Sequence, residues 1–197
     1  MSFDLIRPRS LREESTTIVV LAVVALAGVG GSLWAAPGVP GYLGAALALV
    51  MLAIAAIDAR AFIIPNELSA AGVLLGLVNA AMLSPAMWES VGIAVLRGLV
   101  IALFFYGLRA LYFRIRGQQG LGLGDVKLAV VAGVWLDWLT IPIAVEIAAL
   151  TALAAIGART YVLRAPLDTR LKFPFGLFLA PSIWVGWLLE ATILRPF

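Results

Sequence analysis

The sequence predicts an all-α fold, a polytopic membrane bundle of about seven transmembrane helices, and three observations carry that prediction. The first is composition. Hydrophobic residues make up 63% of the chain and charged residues 13%, where soluble domains hold roughly half and a quarter, and mean hydropathy is +1.06. The second is length, since the apolar runs approach the ~20 residues that carry a helix across a bilayer. The third is the spacing of breaks, with Pro, Gly and charged residues recurring between those runs. In 197 residues these runs fill one transmembrane domain, 1–197, and leave no room for a soluble domain beside it.

The elements follow in order. Residues 1–17 mix Arg7, Arg9 and Arg12 with Asp4, Glu13 and Glu14 and read as a cytoplasmic tail, because the apolar run after them is too long for a signal-peptide core. An N-terminal helix, Ile18 to Ala36, closes at Pro37-Gly38-Val39-Pro40-Gly41. The second span, Tyr42 to Ile57, ends at Asp58, and Pro65 prevents a simple continuation. Asn66 is the expected cap of the third span, Glu67 to Leu83, which Ser84-Pro85 breaks. The fourth, Val91 to Tyr112, leads through Arg114 and Arg116 into a glycine-rich stretch, and the fifth covers Leu121 to Leu139. Asp137, Trp138 and Pro142 mark the next turn, and the sixth span runs to Tyr161. A loop with Arg164, Asp168, Arg170 and Lys172 precedes the seventh, Phe173 to Leu194. No internal repeat is evident.

Threading seven spans places Arg7, Arg9, Arg12, Arg60, Arg114, Arg116, Lys127, Arg159, Arg164, Arg170 and Lys172 on one side, with Arg195 as the exception on the other. The positive-inside rule makes the basic side cytoplasmic. The chain is then a multi-pass protein of the cell (inner) membrane with a cytoplasmic N-terminus and the lipid bilayer as its surroundings. Its pI of about 9.7 has the same origin and marks no nucleic-acid footprint. Cysteine and histidine are both absent, which excludes disulfides, thiolate zinc sites and cysteine nucleophiles and makes a metal site or other cofactor unexpected. Acid–base chemistry near neutral pH falls to carboxylates.

Two carboxylates stand out. Asp125 follows alternating glycines in Gly120-Leu121-Gly122-Leu123-Gly124-Asp125-Val126-Lys127, and Asp58 ends an apolar run ahead of Pro65-Asn66. An ionisable residue beside a membrane span is a functional candidate, and Gly122 and Gly124 let another backbone approach the carboxylate closely. The threading puts Asp58 and Asp125 at the cytoplasmic ends of their helices, at similar depth. Two such groups in a poorly solvated place do not ionise together readily, so one keeps a proton while the other takes one from water. That is the arrangement of an aspartic protease. The glycines also fit close helix packing, and Lys127 reads as a snorkelling anchor. Asp125 alone also fits a helix cap, and Asp58 alone an interfacial partner of Arg60.

At these residues the chain resembles a known family. Gly122-Leu123-Gly124-Asp125 with Lys127, preceded by Asp58 with Pro65 and Asn66, is similar to the type IV prepilin peptidases, membrane aspartic proteases of the GxGD type. Phe173-Pro174-Phe175-Gly176 resembles a further family pattern near the C-terminus. The resemblance implies a six-helix peptidase core over 42–197 with one extra helix, 18–36, in front. It also implies a hydrolase that cuts the short basic leader from prepilin or pseudopilin precursors at the cytoplasmic face, with Asp58 and Asp125 as catalytic pair and Gly122, Gly124, Lys127, Pro65 and Asn66 shaping the site. Larger members also methylate the new N-terminus and carry a four-cysteine zinc site. Without cysteine, this chain resembles the compact peptidase-only members, which puts N-methyltransferase activity in doubt.

Two alternatives stay open at this point: a GxGD protease of the signal-peptide-peptidase kind, and a carboxylate-containing transporter. Arg97 and Glu146, inside apolar runs, are expected near the outer face, pairing with each other or snorkelling outward.

Overall fold

The computed structural model of the chain describes residues 11–82, 85–117, 121–161 and 174–194. Among these, seven α-helices follow one another without a strand: α1 Leu11–Ala35, α2 Val39–Ala61, α3 Asn66–Met82, α4 Met87–Arg116, α5 Leu123–Trp135, α6 Thr140–Tyr161 and α7 Gly176–Leu189, extended by a π-helical turn over Glu190–Leu194. Five segments are long and apolar enough to cross a membrane: Glu14–Ala35, Val39–Ala61, Met87–Arg116, Thr140–Thr160 and Gly176–Leu194. The fold is the expected helical membrane bundle.

Its core lies where α2, α5 and α7 converge, with Leu47, Met51 and Ile54 meeting Leu128, Val131, Leu179 and Ile183 out of reach of solvent. Residues such as Leu103 and Ile115 on α4 point outward, which suits a surface solvated by lipid tails. Small residues mark the packed faces. On α2 the buried positions Gly41, Gly44, Ala45, Leu47, Ala48, Met51, Ile54, Ala55 and Asp58 recur every three to four residues along one stripe.

Several boundaries differ from the sequence expectation, each for a local reason. The second helix begins at Val39 rather than Tyr42, because Pro40 falls in its first turn, where a missing N–H costs nothing, and Gly38 supplies the positive φ that precedes it. The third is not capped by Asn66. The Pro65 carbonyl accepts the first helical bond, from the Ser69 amide at 3.2 Å, and a second from the Ser69 hydroxyl at 3.0 Å, so Pro65 is the cap and Asn66 lies inside the helix.

The fifth helix is the largest departure, 13 residues in place of the expected Leu121 to Leu139. At ~1.5 Å per residue it is about 20 Å long, short of the ~30 Å hydrocarbon layer. It is nonetheless enclosed by α3, α4 and α7, and nearly every residue from Leu128 to Trp135 is buried. Non-helical backbone at membrane depth is tolerated where protein covers it, and the end of α5 shows how. The Leu136 amide bonds the Ala132 carbonyl at 2.8 Å, the Asp137 amide bonds Glu190 Oε1 at 2.7 Å, and the Asp137 carboxylate pairs with Arg97. Of the two expectations for Arg97 and Glu146, that pairing overturns their union with each other. Arg97 also donates to the Gly133 carbonyl at 3.2 Å, while Glu146 is exposed on α6.

Candidate active site

Asp58 occupies the last full turn of α2 and continues that helix's buried stripe toward one end of the bundle. Only 5% of it is exposed. The helix stops three residues on, where Phe62 adopts a left-handed conformation (φ 55°) with its amide on the Asp58 carbonyl at 3.0 Å. Two residues after that cap, the Ile64 side chain is buried. The Asp58 carboxylate itself is held from another helix, since the Leu177 amide, in the first turn of α7, donates to Oδ2 at 2.9 Å.

Asp125 arrives from the opposite chain direction. It lies in the first turn of α5 and is 8% exposed. Its Oδ2 accepts the Gly122 amide at 3.1 Å, so it caps the start of its own helix. No donor meets its other oxygen among the described residues. The C-terminal end of α2 and the N-terminal ends of α5 and α7 thus meet at one end of the bundle, around the Ile64 side chain.

Ile64 separates the three helix ends. A methyl group placed on Gly124 would stand 2.8 Å from Ile64 Cδ1, and one on Gly176 would stand 2.8 Å from the same atom and 2.7 Å from Asp58 Oδ2. Both glycines are therefore packed against a single side chain, with the Asp58 carboxylate alongside. Lys127, half-buried on α5, reaches the Ile64 carbonyl at 3.4 Å. It ties down the connection between α2 and α3, a more specific place than that of a free interfacial anchor.

The expected site residues are thus brought together unequally. Asp58, Asp125, Gly122, Gly124 and Lys127 share this end, with Pro65 at the head of α3 beside Ile64. Asn66 is exposed, and its side chain makes no hydrogen bond among the described residues. Sequence reasoning missed Ile64 and the α7 amide as neighbours of Asp58. The only signal for the latter was the stretch ending at Gly176, whose Phe173 lies outside the described residues. Arg97, with its partners Gly133 and Asp137 at the far end of α5, stands away from both aspartates. Among the described residues no cluster of His, Cys, Asp and Glu could hold a metal ion.

The sequence pattern of the type IV leader peptidase family matches residues 45–157, a stretch that contains both aspartates. The chain belongs to this family. Its relatives include the prepilin leader peptidase/N-methyltransferase of Aeromonas hydrophila, 28% identical over 181 residues, covering 90% of this chain and 59% of the relative. That of Burkholderia pseudomallei (strain 1026b) is 33% identical over 86% of this chain and 51% of its own length. That of Dickeya chrysanthemi is 34% identical over 82% of this chain and 55% of its own. This leader peptidase family member therefore spans little more than half the length of those relatives. No solved structure matches it.

Proposed function

We propose that this leader peptidase family member is a membrane aspartic endopeptidase that removes the leader from type IV prepilin-like precursors, with Asp58 and Asp125 as its catalytic pair. The observation that carries the proposal is the convergence of two buried carboxylates, from α2 and α5, at one end of the bundle within a segment matched to the family. The ionised member takes a proton from water, and the resulting hydroxide adds to the scissile carbonyl carbon while the protonated member gives its proton to the carbonyl oxygen. Collapse of the tetrahedral adduct breaks the C–N bond as a proton passes to the leaving nitrogen, so water and peptide give one acid and one amine. Family membership favours this reading over a protease of the signal-peptide-peptidase kind.

The proposed site faces the cytoplasm. Arg60 near the end of α2, Arg114 and Arg116 at the end of α4, and Arg159 at the end of α6 lie at the same end of the bundle as the two aspartates, and such asymmetry sets orientation in membranes. The relatives' second named activity, N-methylation, is not carried over, because a carboxylate pair speaks to hydrolysis alone. Substituting Asp58→Asn or Asp125→Asn keeps shape and removes the acid. Cleavage of a co-expressed type IV prepilin, followed by the shift of its band and the N-terminal sequence of the product, should fall by about 10²–10⁴-fold in each case. Normal processing by either variant would remove the pair from the mechanism.

A further inference from the structure

We infer that Gly176 and the Leu177 amide, at the start of α7, are the positioning elements that hold Asp58 in its working orientation. The inference rests on the catalytic reading of Asp58. It concerns a part of the chain beyond the family-matched segment, which ends at residue 157. The Leu177 amide donates to Asp58 Oδ2 at 2.9 Å across a large sequence separation, so the orientation of a carboxylate on α2 is set by the register of α7. Gly176 makes the approach possible. Of the atoms a β-carbon there would meet, the nearest is Asp58 Oδ2 itself at 2.7 Å, followed by Ile64 Cδ1 at 2.8 Å and Asp58 Cγ at 3.0 Å. Real β-carbons are essentially never that close to a neighbour, so with a larger residue at 176 either the carboxylate or the start of α7 that holds it must shift.

Gly124 is the internal comparison. The three atoms nearest a β-carbon there all belong to Ile64, at 2.8, 3.1 and 3.2 Å, and none belongs to either aspartate. The two glycines share a neighbour but differ in what a methyl group would push. Shortening Ile64 therefore relieves one site and leaves the other obstructed. A purely structural role for Gly176 would lower stability along with kcat, whereas a positioning role lowers kcat while folding and KM are kept.

The test measures kcat and KM for the detergent-purified full-length protein on a full-length type IV prepilin in mixed micelles. The variants are Gly176→Ala, Gly124→Ala, Ile64→Ala and the two doubles with Ile64→Ala, each checked for folding by thermal unfolding. Gly176→Ala should lower kcat on the order of a hundredfold with KM nearly unchanged, as misplacement of a reacting group by ~1 Å does. Relative to Ile64→Ala alone, the double with Gly124→Ala should regain most of its kcat and the double with Gly176→Ala should not. Leu177→Pro removes the amide hydrogen, which the Pro174 carbonyl also receives at 3.3 Å, at a first-turn position, and, with its thermal unfolding unchanged, decides the matter if Gly176→Ala does not fold. It too should lose kcat and keep KM. Wild-type kcat in Gly176→Ala or Leu177→Pro, or equal rescue of both glycine variants by Ile64→Ala, overturns the inference. An active Asp58→Asn enzyme would instead bring down the dyad, and the two failures are read from different variants.

Discussion

Replacing Gly133 with alanine tests the packing that holds α5, and with it Asp125, in place. A β-carbon at Gly133 would stand 2.7 Å from the Gly98 Cα, 2.8 Å from the Arg97 carbonyl oxygen and 2.8 Å from the Gly98 nitrogen. Carbon atoms rest ~3.5–4.0 Å apart, so α4 and α5 must separate by about 1 Å at their crossing. All three obstructing atoms are backbone, and no change of rotamer relieves them. Overpacking of this kind costs about 1–3 kcal/mol, and rigid neighbours on the α4 side put Gly133→Ala near the upper figure, about 3 kcal/mol. The partner change, Gly98→Ala, meets chiefly the Val134 side chain, at 3.0 Å, and should cost about 1 kcal/mol. Gly107→Ala, with nothing within 4 Å of its β-carbon, should be neutral or stabilising by up to ~1 kcal/mol. Denaturant titration in detergent micelles, followed by tryptophan fluorescence, gives the three values. The order Gly133, Gly98, Gly107 from most to least destabilising is the expected result, and a Gly133→Ala protein as stable as Gly98→Ala would refute the close crossing of α4 and α5.

Arg97→Met should destabilise the fold by about 3 kcal/mol, since it removes the cation paired with the Asp137 carboxylate in a largely buried place. Adding Asp137→Asn should recover part of that loss in the same titration, and a double variant no better than Arg97→Met would show that the pair is not the cause. Lys127→Met should lower kcat by less than about tenfold, because the bond it makes among the described residues is a long one, to the Ile64 carbonyl at 3.4 Å. A loss as large as that of Asp125→Asn would place the ammonium in the chemistry.

The residues themselves show why these contacts were hidden. Asp58 and Asp125 were legible because each interrupts an apolar run, and counting spans put them at the same end of the bundle. The Arg97 partner was missed because Asp137 read only as a turn marker, while Glu146 shared an apolar run. The choice was made by the early end of α5, which leaves the Gly133 carbonyl and the Asp137 carboxylate both within reach of Arg97. The expected cap at Asn66 failed for a smaller reason, since Pro65 offers its carbonyl one residue earlier. Gly176 was visible only as part of a resemblance, with no clue that its neighbour would be an aspartate on α2.

Composition and run length were enough to predict a helical membrane bundle and the order of its helices, because helix formation and insertion depend on local hydropathy and local breaks. Which faces meet was a different matter. In lipid the outward surface is as apolar as the core, so α4 carries exposed Leu99 and Leu103 and buried Gly98 and Phe105 in one apolar run, and hydropathy does not tell its sides apart. Only the packed structure, where small residues let backbones approach, set the rotation of each helix. That rotation brought Ile64 between Gly124 and Gly176 and turned the Leu177 amide onto Asp58.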